Sequence, residues 1–292
     1  MSNPHSLEVS SGIRSLTVDD MPNCSISDRL ILELVTDDEV DLDQLSGIVE
    51  ENASLTALVI GLANSAYFSS PTDIHRVSDA IIKVLGMRMV RSVILSVVLG
   101  RSLDLSRCAA FSTAEYWTDS LTTGRYCQFL AIKSDIRKRI NVDQAYLCGL
   151  LANFGQLVLI HHYPKEMNQI LSDHTGNMSD LLLEQERQLG VHQGHAVSLM
   201  ARRWLLPEET AICLQHCFQT NYEGDSLELI EFVSGVAQLV TSVSHTKNEE
   251  IEVPAAIQAL DGIDFGESDV QMLAEMREEV SLIAKHLEKF GN

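Results

Sequence analysis

The residues best suited by type and spacing to hold a metal are Cys213, His216 and Cys217. They stand at i, i+3 and i+4, on one face of a helix. With Cys148 or His174 they would offer zinc a set of sulfur and nitrogen ligands. The spacing is not that of a zinc ribbon, and cysteine often serves as a small buried hydrophobe. The face is therefore read first as core. His161 and His162 close a long apolar run, where positive charge suits a helix C-terminus; they are read as helix-end residues. His192 and His195 bracket Gly194 at the head of a further helix. The phosphate-cradling GxxxxGK[ST] and the zinc-protease HExxH are both missing, as is a GxGxxG after a strand. No nucleophile context points to a Ser-His-Asp triad.

These side chains must be positioned by a chain of 292 residues, enough for one large or two ordinary domains. An apolar share of 45% is normal for a chain that buries a core, and aromatics at 5% make that core mainly Leu, Val, Ile and Ala. The net charge of -20 argues against a nucleic-acid partner, because counterion release needs clustered Lys and Arg. Lys83, Arg88, Arg91, Arg101 and Arg107, and further on Lys133, Arg137, Lys138 and Arg139, are read as solvated helix faces rather than an anion site. The start of the chain has no secretory run, and Lys83, Arg88 and Arg91 interrupt the best candidate for the ~18 apolar residues of a membrane span. Six scattered cysteines without an export signal fit reduced thiols. The expected setting is cytoplasmic, with no membrane partner.

The spacing of apolar residues predicts helices throughout and no alternating strand. Residues 1–21 read as a flexible tail. Ser27 and Asp28 start a first helix, and Asp41 with Gln44 makes a capping box for a second. Ser54–Gly100 is the least polar long segment and reads as three helices. The first ends over Asn64–Phe68, and a loop with Pro71 and Asp73 follows. Ser78 is expected to cap the second, Gly86 closes it in a left-handed conformation, and the third runs from Met87 to Leu99. Ser112 and Glu115 form another box. DQAYLCGLLANFGQLVLIHH, from Asp143, reads as one long buried helix. Pro164 and Pro207 open helices, and 226–241 forms another. From Ser268, Leu273, Met276, Val280, Ile283 and Leu287 follow a 3,4 spacing. That seam fits packing on its own fold, read first, or a homodimer through 273–287. The expected domains are 22–107, a helical bundle; 108–246, a second helical block; and 247–292, a linker and C-terminal helix.

Two stretches carry a resemblance to a known family. LTALVIGLANSAYF, a loop, and then VSDAIIKVLGMRMVRSVIL is similar to the HDOD domain, a bacterial all-helical module related to the HD metal-dependent phosphohydrolases. One departure is local: the family often has Asp-Pro before Ala-Leu-Thr, where Asn52-Ala53-Ser54-Leu55-Thr56 stands here, and this is expected to weaken the opening cap.

The resemblance also says where a hydrolase metal site would be. HD enzymes hold metals with a His, an adjacent His-Asp pair and a later Asp, and the metal makes a nucleophile of bound water. The first His falls at Asp119. The His-Asp pair falls at Ala152-Asn153. Paired histidines, where the family has them, fall at His216-Cys217, and the last Asp falls at Gln238. A methyl and an amide make a poor ligand pair for a divalent ion, so neither a metal nor a catalytic residue is expected, and no cofactor. The stretch Glu186-x-x-Leu189-Gly190-x-His192-x-Gly194-His195, before a helix ending Trp204-Leu205-Leu206-Pro207, resembles a recurrent family motif. Glu186, His192 and Trp204 are read as fold-defining contacts, with a ligand role as the alternative.

The resulting expectation is an all-α, non-catalytic regulatory protein that binds a signalling protein or a small signalling ligand. The alternative is a phosphohydrolase with a rearranged set such as Asp119, His216 and Glu186. The groove between the two helical blocks is the first place to look for a ligand.

Overall fold

The computed structural model describes residues 16–22, 26–36, 39–64, 73–174, 178–219, 222–245, 253–261 and 266–290. Among these every regular element is helical. The N-terminal part comprises α1 (Ile26–Thr36), α2 (Leu42–Glu50), α3 (Ala53–Ala63), α4 (Val77–Ala80) with a π-helical continuation over Ile81–Leu85, and α5 (Met87–Gly100). Next come α6 (Thr113–Lys133), α7 (Val142–Leu151), α8 (Phe154–His162), α9 (Pro164–Asp173), α10 (Met178–Leu189), α11 (Gln193–Arg203) and α12 (Glu208–His216). The chain closes with α13 (Leu227–His245), α14 (Ala255–Gln258) and α15 (Glu267–Phe290).

Local chemistry starts most of these helices where the sequence marks them. Asp41 Oδ1 accepts from Gln44 N at 2.9 Å while Asp41 N donates to Gln44 Oε1 at 3.0 Å, the reciprocal box. Ser112 Oγ accepts from Glu115 N, and Pro164 is the first residue of α9. Gly86 ends the π segment at φ +76°, a conformation that glycine alone adopts without cost.

Several expectations are corrected. Asn52 caps α3 well, its Oδ1 accepting from Leu55 N at 3.1 Å, because an amide oxygen caps as effectively as a carboxylate. The cap of α4 is Arg76, so Ser78 lies inside the first turn. The long helix expected from Asp143 is two helices, α7 and α8, broken at Ala152-Asn153. The short α14 follows Pro254 in what the spacing reads as linker. The segment Leu227–Ser244 has a mean hydropathy of 1.3 over 18 residues, enough to pass as a span despite Glu228 and Glu231. Here α13 is a core helix, with Phe232, Val233, Val236 and Val240 buried. The expected loop residues Ser65–Phe68 and Pro71 lie outside the described residues. Across that gap Asn64 and Ile74 exchange two 2.7 Å hydrogen bonds.

Two apolar cores organise the molecule. The first joins α1–α5 to the first half of α6 through Tyr116, Trp117 and Leu121, and to α8, α9 and α11. The second gathers the other half of α6 (Tyr126, Cys127, Leu130) with α7, α13 and α14. Several helices contribute to both, α6 and α15 among them. In α15, Leu273 enters the second core while Val280, Ile283 and Ala284 enter the first. The apolar seam of α15 thus packs on this chain, chiefly against α6 and also against α3.

Many of the cations are paired within the fold. Lys83 lies 3.0 Å from Asp79, Arg139 bridges Asp135 and Glu228, Arg101 faces Asp28, and Arg91 Nη2 donates to Val40 O.

Candidate functional site

The break between α7 and α8 is the point from which the site is built. Ala152 is fully buried, and Asn153 takes a conformation (φ -92°, ψ 1°) that turns the chain. The turn lets α8 lie close against the start of α11. Gly155 makes this approach possible: a Cβ there would overlap the Gln193 carbonyl oxygen. A second glycine, Gly194, sits against α12, where a Cβ would stand 2.6 Å from Gln215 O.

Amides fill the space so created. Gln193 N donates to Gln185 Oε1 at 2.9 Å, and Gln185 Nε2 donates back to Gln193 Oε1 at 3.1 Å. Gln193 Nε2 then reaches Asn153 Oδ1 at 3.3 Å. Gln185 and Gln193 are both fully buried. Amide-to-amide pairing satisfies buried donors and acceptors without placing a charge there. Where the HD resemblance puts a ligating carboxylate, Asn153 is held as an acceptor for a glutamine.

Beside the amides lies a histidine patch. His192 is the N-cap of α11, with Nδ1 accepting from Gly194 N at 3.1 Å. Gln219 links it to His216, through contacts of 3.4 Å to His192 Nε2 and 2.7 Å to His216 Nδ1. The His216 ring stacks on Tyr222 with centroids 4.2 Å apart. Burial holds the His192 imidazole below its ordinary range; Glu186 pulls the other way, while His195 and His216 add to the lowering. Glu186 itself is exposed. Trp204 packs edge-on against Phe154, which directly follows the break, with centroids 5.6 Å apart.

The remaining positions fall elsewhere. Asp119 is bound by the C-terminal helix: Arg277 Nη2 and Nε lie 3.0 and 3.3 Å from its Oδ1, and Ser244 Oγ donates to the same oxygen at 3.1 Å. Gln238 is exposed on α13 and donates to Ser234. Cys217 is buried with Cys127, Cys148 and Cys213 in the second core. Burial pushes the Cys127 and Cys217 thiols up, and a contact with Cys148 together with burial does the same for Cys213. Asn153, Glu186, His192 and His216 therefore share one region, whereas Asp119 and Gln238 are tied to other partners. Among the described residues no three His, Cys, Asp or Glu side chains converge at metal-binding geometry. Of the other histidines, His161 Nδ1 accepts from Asp104 N at 2.9 Å, which joins the end of α8 to the loop after α5.

The sequence reading did not include Gln185, Gln193, Gln219 or Arg277. Glutamines carry no spacing signature, and Arg277 lies 158 residues from its partner. The available signal was the pair Gly155 and Gly194, small residues where helices cross closely.

Comparison with known proteins identifies the family and the fold. The family model described as "HDOD domain" matches residues 22–218. An "Uncharacterized protein" of Treponema pallidum (strain Nichols) is 24% identical over 201 residues, covering 65% of this chain and 36% of that protein. This chain thus spans about a third of that relative's length. A crystal structure from Marinobacter aquaeolei VT8, described as a "Putative signal transduction protein", superposes with a TM-score of 0.76 at 22% identity, covering 95% of this chain and 63% of that one. A "Putative phosphohydrolase" from Shewanella amazonensis SB2B superposes with a TM-score of 0.71 at 20% identity, covering 92% and 96%. At these identities the structures share the fold. The family model spans well over half of the residues, including α1 to α12, the helix break at Asn153 and the amide cluster behind it: the chain belongs to the HDOD family.

Proposed function

We propose that this HDOD protein is a non-catalytic regulatory module of a bacterial cytoplasm, acting in signal transduction by binding a protein or a small ligand. The observation that carries the reading is the state of the helix break. The place of the His-Asp pair is taken by Ala152 and by Asn153, whose oxygen accepts from Gln193. An amide already engaged by a buried glutamine is a poor ligand for a hard divalent ion. Asp119, which a rearranged site would need, faces Arg277 and Ser244 instead. A guanidinium there competes with any cation for the same carboxylate.

The test is elemental analysis of protein purified without chelator and exposed to manganese, iron and zinc, together with assay on phosphodiesters. The reading expects substoichiometric metal and no turnover. Near-stoichiometric metal that is lost in Asp119→Ala or His216→Ala would replace it with the phosphohydrolase reading.

A further inference from the structure

A cavity of about 210 Å3 lies between the N-terminal bundle, α6 and the C-terminal helix. This exceeds the ~150 Å3 that accepts a benzene-sized molecule. Its walls are mixed, with Met89 and Val93 from α5 and Ile283 from α15 on the apolar side. Leu85, the last residue of the π segment, closes one side. Such wide turns recur beside functional sites.

One pole of the cavity is polar, and both of its side chains come from α6. Among the described residues, Gln128 Nε2 is buried and has no hydrogen-bond partner. A buried amide donor left unpaired is costly, and an acceptor oxygen would recover that cost. One turn away, Arg125 Nη1 stands 3.2 Å from Glu279 Oε2 on α15. Arg125 is 28% exposed and Glu279 35%. The guanidinium is thus placed to take a carboxylate, and here α15 supplies one. A guanidinium offers five donors, and this contact uses Nη1.

We propose that the cavity binds a small organic acid. Its carboxylate takes the place of Glu279 on Arg125, the Gln128 side chain turns its buried Nε2 toward that carboxylate, and the apolar body lies against Met89, Val93 and Ile283. Glu279 then acts as a built-in competitor, and ligand binding is felt by α15 through loss of that ion pair. The inference deepens the small-ligand branch of the proposed function. Its failure would leave protein binding standing, and metal analysis decides catalysis separately.

The test is calorimetric titration of the full chain with benzoate and hexanoate, with benzamide as the uncharged control. Both acids should bind saturably and at least tenfold more tightly than benzamide. Arg125→Gln should weaken benzoate at least tenfold and Gln128→Leu several-fold, while Glu279→Gln should tighten it several-fold. Amide exchange over 273–283 should rise when benzoate is bound. If Arg125→Gln fails to fold, Glu279→Gln and Gln128→Leu decide alone. Equal binding of benzamide, no change in Glu279→Gln, or no acid binding to either the native chain or Glu279→Gln would overturn the proposal. Binding without faster exchange would overturn the displacement of Glu279.

Discussion

Arg277, on the last helix, places two guanidinium nitrogens 3.0 and 3.3 Å from a single oxygen of Asp119, on α6. Each side chain is 27% exposed. The resemblance to HD enzymes puts their first histidine at Asp119. In this chain it anchors the C-terminal helix, and Ser244 adds a third donor from α13.

That anchor should be measurable. Asp119→Ala and Arg277→Ala should each lower the unfolding free energy by about 1 kcal/mol, and the double variant by less than the sum. A urea double-mutant cycle gives the coupling. Additivity within error would show that the contact contributes little beyond packing.

Gly155→Ala tests the close approach at the helix break. The new methyl meets the Gln193 backbone rather than a movable side chain. Overpacking of this kind costs about 1–3 kcal/mol or more. Gly61, inside α3, has open space around it, so Gly61→Ala should be neutral or stabilising by comparison. Thermal melts of the two variants provide an internal control.

The amide pair makes a sharper case. Gln185→Ala removes the acceptor for Gln193 N and the donor to Gln193 Oε1, both buried. The expected loss is about 2–3 kcal/mol, larger than truncation of an exposed glutamine. Glu186→Ala, one residue on and exposed, should change urea stability by no more than about 0.5 kcal/mol.

Acid should weaken the fold through histidine. Burial lowers the folded pKa of His161, His162 and His192 below the 6.5 of the free side chain. As pH falls through 6.5 the unfolded chain takes up protons that the native state resists, so stability drops, and the drop levels off below the folded values. Above about pH 7.5 these groups contribute no pH slope. His192→Asn keeps a capping oxygen and should flatten part of the decline between pH 7 and 5 in urea titrations. An unchanged slope would remove His192 from the set.

The thiols offer a chemical check. Cys108, Cys127, Cys148, Cys213 and Cys217 are all buried, and burial pushes several of their pKa values up. Little thiolate forms at neutral pH, and access is closed. Dithionitrobenzoate should leave these five unmodified in the native protein and label them in denaturant. Fast native labelling of Cys213 or Cys217 would show that the second core opens readily.

How far the sequence reaches is clear from particular residues. Asp41 with Gln44, Ser112, Gly86 and Pro164 announce helix ends because capping acts over three or four residues, within reach of a local reading. Apolar spacing identifies the core faces of α3, α13 and α15 for the same reason. The break at Ala152-Asn153 was hidden, because both flanking segments are apolar and the turn is stabilised by α11 packing against Gly155. The π segment was hidden too, since one extra residue in a turn leaves the pattern almost unchanged.

The sequence by itself therefore determined an all-helical chain and the ends of many of its helices, and through the resemblance it pointed to Ala152 and Asn153 as the positions to inspect. Tertiary structure decided what those positions do. Asn153 meets Gln193 across two helices, Asp119 meets Arg277 across 158 residues, and Arg125 meets Glu279 at the edge of a cavity. Caps and spacing are set by neighbours along the chain. Pairings between distant side chains depend on how whole helices cross, and a one-dimensional pattern does not carry that geometry.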